Sequence, residues 1–83
     1  MRTENQIGKI EINPKILVGK PVIAGTRVPA HLILNLLAHG YDFERIIKAY
    51  PILEKEDIKA AVEYAEKILR REEVKPLPIE VTK

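Results

Sequence analysis

Between Ile7 and Val28 the chain is interrupted by Gly8, Pro14, Gly19, Pro21 and Gly25, and no uninterrupted run exceeds five residues. That punctuation constrains the fold more than any other feature. A helix needs several turns to offset the entropy of nucleation. Proline removes a backbone donor and glycine lacks conformational restraint, so each interrupts such a segment. What remains is β-branched. Ile7, Ile10 and Ile12 are β-branched, Lys9 and Glu11 alternate with the last two, and Asn13-Pro14 signals a turn. Ile16-Leu17-Val18 and Val22-Ile23 follow as further apolar pieces. The expectation over 7–28 is a set of short extended strands.

Beyond residue 28 the periodicity changes to that of helices. Pro29 suits a first helical position and Gly40 a C-terminal stop, which predicts a helix over 29–39. Its apolar residues, among them Leu32, Ile33, Leu34, Leu36 and Leu37, cover nearly every face, so burial on all sides is expected. Asp42 is a good N-cap for a second helix over 43–50, where Phe43, Ile46, Ile47 and Tyr50 fall at amphipathic spacing before Pro51. The third helix is predicted over 55–71. Ile58, Ala61, Val62, Ala65, Ile68 and Leu69 form its stripe, with acids at its start and bases at its end. Glu63–Lys67 and Glu66–Arg70 are i,i+4 pairs in the favourable order. Residues 74–83 contain Pro76 and Pro78 and are expected as an extended tail, with Leu77, Ile79 and Val81 on one side. The fold class expected is therefore mostly α: short N-terminal β segments, three helices, and a tail, with residues 1–73 forming one domain.

The chain has 83 residues, enough for one small core. It has no cysteine, which excludes disulfides and thiolate metal sites. No apolar run approaches the roughly 20 residues of a membrane span. The polar start Met1-Arg2-Thr3-Glu4-Asn5-Gln6 is unlike a signal peptide, so the expected location is the cytoplasm. The net charge of +2 is unevenly spread, +3 over residues 1–40 and −1 over 41–83. A phosphate-facing surface would therefore lie toward the N-terminal half.

No reactive constellation is visible. His31 and His39 are about 80° and roughly 12 Å apart on one helix, too far to share a metal. Gly19-Lys20 and Gly25-Thr26 do not have the spacing of a phosphate-binding loop and read as turn glycines. No catalytic residue, metal site or cofactor is expected, and the chain reads as a binding module rather than an enzyme.

Four blocks carry a resemblance. They are Pro14-Lys15-Ile16-Leu17-Val18-Gly19-Lys20-Pro21-Val22-Ile23-Ala24-Gly25-Thr26-Arg27-Val28-Pro29, Leu36-Leu37-Ala38-His39-Gly40-Tyr41, Ile46 to Tyr50-Pro51, and Glu56 to Ala65. Together they resemble the "domain of unknown function 433" family over about residues 7–66. The resemblance implies a homeodomain-like three-helix fold carrying a helix-turn-helix, preceded by short strands. It also implies a dimer, and for many members an antitoxin role against a PIN-like ribonuclease. This chain has Glu54 where the family usually has Thr ahead of the third helix, and Glu is the poorer cap.

These readings place candidate residues. For DNA they are Lys20, Arg27, Arg45 and Lys48, because the third helix begins with Glu54, Glu56 and Asp57, which phosphates would repel. Arg27 has the alternative of pairing with a carboxylate inside the fold. For a protein partner they are Leu77, Ile79 and Val81 of the tail. For a homodimer they are Leu17, Val18, Val22, Ile23, Leu32 and Leu36, apolar residues beyond what one small core hides. The expected function is a dimeric antitoxin that neutralises a ribonuclease and binds its operator. The alternatives are a stand-alone DNA-binding regulator and a structural interaction module.

Overall fold

The computed structural model describes residues 2–72. Two short strands precede a three-helix bundle. β1 (Ile10–Glu11) and β2 (Val22–Ile23) pair antiparallel, Ile10 opposite Ile23 and Glu11 opposite Val22. The helices are α1 (Ala30–Ala38), α2 (Phe43–Ala49) and α3 (Lys55–Glu72). The core is formed by Ile23 of β2, Ala30 and Ile33 of α1, Ile46 of α2, Leu53, and Ile58 and Ala61 of α3.

Each helix begins and ends where local chemistry dictates. Pro29 is the N-cap of α1 rather than its first turn. At the other end Gly40, at φ 92°, donates to the Leu37 carbonyl and Tyr41 to that of Leu36. This paired closure needs the left-handed conformation that glycine adopts without strain. The Asp42 carboxylate accepts from the Arg45 N–H at 2.8 Å and starts α2. Asp57, in the first turn of α3, accepts from the Glu54 N–H at 2.7 Å. That is one half of a capping box.

The extended reading of 7–28 is correct only at its two pairs of strand residues. Residues 4–8 are turn, and Leu17–Gly19 is a short 3-10 turn instead of a strand. Leu17 and Val18 have φ of 50° and 56°. A left-handed conformation is unfavourable for a β-branched residue, which is why the sequence pointed elsewhere. Between β2 and α1 the chain reverses at Gly25-Thr26. The buried Thr26 hydroxyl donates to the Ile23 carbonyl (2.8 Å) and accepts from the Val28 N–H (2.9 Å). Gly25 has φ 80°, a left-handed backbone that glycine adopts without strain, and a Cβ there would push the Gln6 side chain aside from 2.6 Å. The glycine-threonine pair is thus a turn device, and its hydroxyl is already committed.

The expectation that α1 is buried on all sides is also corrected. Ala30 and Ile33 are buried, Leu32, Leu34, Leu36 and Leu37 are half-buried, and Ala38 is exposed. On α3 the stripe is buried only in the first half. Val62 is 42% exposed and Leu69 70%.

Candidate functional site

The residues nominated from the sequence fall into three groups in the fold. Lys20, Arg27, Arg45 and Lys48 are all exposed. Arg27 forms no internal ion pair among the described residues, whose two salt bridges are Arg2–Asp57 and Glu66–Arg70. Glu63–Lys67 is accordingly absent from that set. Arg45 lies over the Tyr41 ring with its guanidinium carbon 4.2 Å from the centroid. That contact occupies one face of the guanidinium and leaves its edge open.

The dimer candidates divide. Val22 and Ile23 are fully buried within the single chain, in its own strand pair and core, and leave the set. Side chains enclosed in one chain have no surface to offer another. Leu17 is 37% and Val18 91% exposed, and Leu32 and Leu36 are half-buried. Leu36 packs partly against the core. The tail candidates Leu77, Ile79 and Val81 lie outside the described residues.

Sequence reasoning missed a buried ion pair. The sequence sets Asp57 among the acids at the start of the third helix, yet its side chain is completely buried. Arg2 reaches it from the other end of the chain. Nη1 donates to Asp57 Oδ2 (2.7 Å) and to the Ile52 carbonyl (3.2 Å). Nη2 donates to Asp57 Oδ1 (2.8 Å) and to the Gln6 carbonyl (3.1 Å), while Nε donates to the Ala24 carbonyl (2.9 Å). All five guanidinium N–H groups thereby have acceptors. The Gly8 N–H adds a further bond to Asp57 Oδ1 (2.8 Å). Burial alone pushes the Asp57 carboxyl up. The bonds from Arg2, Gly8 and Glu54 outweigh it and hold the group below the usual carboxylate range. The Arg2 guanidinium is held above its ordinary value, chiefly by its hydrogen bond to Asp57. A carboxylate so fully occupied is an anchor and has no lone pair aimed at a substrate. The signal for it was its place on the buried stripe, one residue before Ile58 and four before Ala61.

The surface also holds an apolar groove of about 340 Å³ between α1 and the second half of α3. Pro21, Leu34, Tyr64, Ala65, Ile68 and Leu69 wall it, and its surface is carbon throughout. Lys20 and His31 border it with their carbon atoms. Among the described residues no group of three or more His, Asp or Glu is placed to hold a metal ion. No helix among them is long and apolar enough to cross a membrane.

Comparison with known proteins agrees with the sequence blocks. The profile of the family described as "Protein of unknown function (DUF433)" matches residues 10–65. The uncharacterized protein y4eO of Sinorhizobium fredii (strain NBRC 101917 / NGR234) is 44% identical over 54 residues, which are 65% of this chain and 24% of that protein. The chain therefore spans about a quarter of the length of this curated relative. The crystal structure of a DUF433 member protein from Anabaena variabilis ATCC 29413 superposes with a TM-score of 0.68 at 29% identity. The match covers 75% of this chain and 61% of that one.

Proposed function

The chain belongs to the DUF433 family, whose function is unknown, and on that premise we propose that it is a non-enzymatic binding module that works as a homodimer. One observation carries this reading. After the core has closed, α1 still presents leucines on both flanks, Leu32 and Leu34, and neither is fully covered. With Val18 and Leu69 largely exposed as well, the chain keeps more apolar surface outside than an isolated small domain favours. Leu17, Val18 and Leu32 are the residues assigned to the dimer contact. The buried titratable centre, Asp57 with Arg2, is saturated by its own partners and supports a structural role rather than a catalytic one.

Within this reading the partner is a ribonuclease of the PIN-like class, neutralised by the dimer, with the tail residues Leu77, Ile79 and Val81 as its contact. This finer assignment draws on the family resemblance. Size-exclusion chromatography with light scattering tests the dimer, which should have about twice the 9.5 kDa of one chain. A monomer at all concentrations would defeat it. Co-expression with such a nuclease tests the partner: co-purification and loss of RNA cleavage are expected, and neither should survive truncation after Glu73.

A second reading, operator binding, gains from the buried ion pair. Asp57 is neutralised internally by Arg2, so the start of α3 repels phosphate less than its sequence suggests. Glu54 and Glu56 remain there against Lys55 and Lys59. Lys20, Arg27, Arg45 and Lys48 would supply the phosphate contacts. Promoter DNA should then be retained with an affinity that falls steeply with salt. No retention at low salt would remove this reading.

A further inference from the structure

The acceptors that hold the Arg2 guanidinium converge from separate places in the fold. Asp57 is in the first turn of α3, Ile52 in the loop between α2 and α3, and Ala24 in the turn after β2. All three lie within residues 10–65, the span that the family profile matches, and Arg2 lies outside it. The domain therefore builds the receptor, and a separate segment supplies what fills it. The receptor is selective for one chemistry. Its acceptors meet Nε, Nη1 and Nη2 at 2.7–3.2 Å, with both carboxylate oxygens engaged side by side. That fork suits a planar guanidinium, whereas an ammonium is a single point of charge.

Residues 2–8 are fastened to this receptor at one point. Among the described residues, every hydrogen bond from 2–8 to residues beyond 9 starts at Arg2 or ends on Asp57. Within the segment, the Gln6 N–H donates to the Thr3 carbonyl, the Ile7 N–H to the Glu4 carbonyl and the Thr3 N–H to Gln6 Oε1. Thr3, Glu4 and Asn5 are exposed and Gln6 and Ile7 only half-buried, so apolar burial adds little to the hold. A strap fastened this way opens locally, as one unit, once its arginine leaves. Arg2 keeps the advantage of its tether. A short flexible link gives an effective concentration on the order of millimolar, against which an arginine from outside must compete.

We propose that Asp57, with the Ala24 and Ile52 carbonyls, is an arginine-binding site whose internal occupant is Arg2. An arginine side chain presented by a partner protein takes the same place when the strap of residues 2–8 lifts. This goes beyond the dimer reading and does not depend on it, since the surface and the ligand are both different.

The test uses the full chain labelled with nitrogen-15, unsubstituted and as Arg2→Gly. The probe is N-acetylarginine amide and the control N-acetyllysine amide. In Arg2→Gly the arginine probe should move the amide signals of Gly8, Gly25, Glu54 and Asp57 saturably and raise the thermal midpoint. The lysine control should do neither at the same concentration. The unsubstituted chain should bind the arginine probe about ten-fold or more weakly, because Arg2 already holds the site. At saturation its Thr3, Glu4 and Asn5 signals should reach the positions they have in Arg2→Gly, the mark of a lifted strap. Adding Asp57→Asn to Arg2→Gly should abolish the response. If Arg2→Gly alone is unfolded, the arginine probe should fold it, and Arg2→Lys should bind the probe with an affinity between those of the other two chains. Absence of a saturable response in both variants, equal affinity for the unsubstituted chain, or an equal response to the lysine control would overturn the proposal. So would binding to the unsubstituted chain that leaves the strap signals in place, which would seat the probe beside Arg2 and not in its stead. The dimer is judged by its mass, so the two readings fail independently.

Discussion

Arg2 and Asp57, 55 positions apart in sequence, meet in a two-pronged ion pair of 2.7 and 2.8 Å whose side chains are 6% and 0% exposed. The contact ties the start of the chain to the first turn of α3. Breaking such a pair from one side leaves an unpartnered charge in a dry site, a loss of about 3–5 kcal/mol. Arg2→Met should therefore lower stability by about 3 kcal/mol or more, read as a shifted urea midpoint at unchanged slope. Arg2→Lys should fall between, because one ammonium cannot reach five acceptors in a plane. A loss below about 1 kcal/mol for Arg2→Met would mean that water replaces the guanidinium without penalty.

The same pair sets the acid limb of stability. Asp57 is held below its ordinary value in the folded chain, so the unfolded chain takes up this proton first as pH falls. The contribution is complete above the unfolded carboxylate range, near pH 4, and is lost as pH drops through the lower folded value. Stability from this group should be flat between pH 5 and 8, roughly, and fall below about pH 4. Asp57→Asn, measured by denaturant midpoints across pH, should flatten that limb while lowering the plateau. An acid limb of unchanged steepness in this variant would assign acid sensitivity to other carboxylates.

Most of the helical framework was legible in the chain because local signals agree with tertiary ones. Asp42, Gly40 and Pro51 mark boundaries by short-range chemistry that packing does not override. The strands were less legible. Ile16-Leu17-Val18 is apolar with β-branched Ile16 and Val18, yet the turn closed by Gly19 holds Leu17 and Val18 in left-handed conformations against their preference. The Arg2–Asp57 pair was hidden for a different reason. Acids in a first turn are ordinarily a solvated complement to the helix dipole, and nothing local announces a partner 55 residues away. Apolar patterning predicted how much surface must be covered on α1. It could not say that the core stops at Ile33 and leaves Leu32 and Leu34 on the flanks.

The Glu54 position offers a gain. Its N–H already bonds to the Asp57 carboxylate, so half of a capping box exists and only the N-cap hydroxyl is missing. The Asp57 N–H already donates to the Glu54 carbonyl at 2.9 Å, so Glu54→Thr should add a second, side-chain acceptor for it and raise stability by about 0.5 kcal/mol, a small increase in thermal midpoint. The Glu54→Ala control should show no such gain. Equal midpoints for the two would mean that the first turn of α3 is already held by Arg2 and Gly8 through Asp57.

Val18 is where strain and exposure coincide, and the two make opposite demands on one substitution. A β-branched residue at φ 56° costs of order 1–2 kcal/mol relative to one that accepts the left-handed region. It is also 91% exposed, so the lone chain recovers nothing by burying it. Asparagine tolerates this backbone and carries no apolar surface. Val18→Asn should therefore stabilise the isolated fold by about 1 kcal/mol. If Val18 sits in the dimer contact, the same change should weaken association. Denaturation at low protein concentration reads the first effect and light scattering over a dilution series reads the second. Higher monomer stability together with earlier dissociation is the expected pair of results. A more stable chain whose association is unaltered would remove Val18 from the interface, leaving its strain to the turn that carries the chain from β1 to β2.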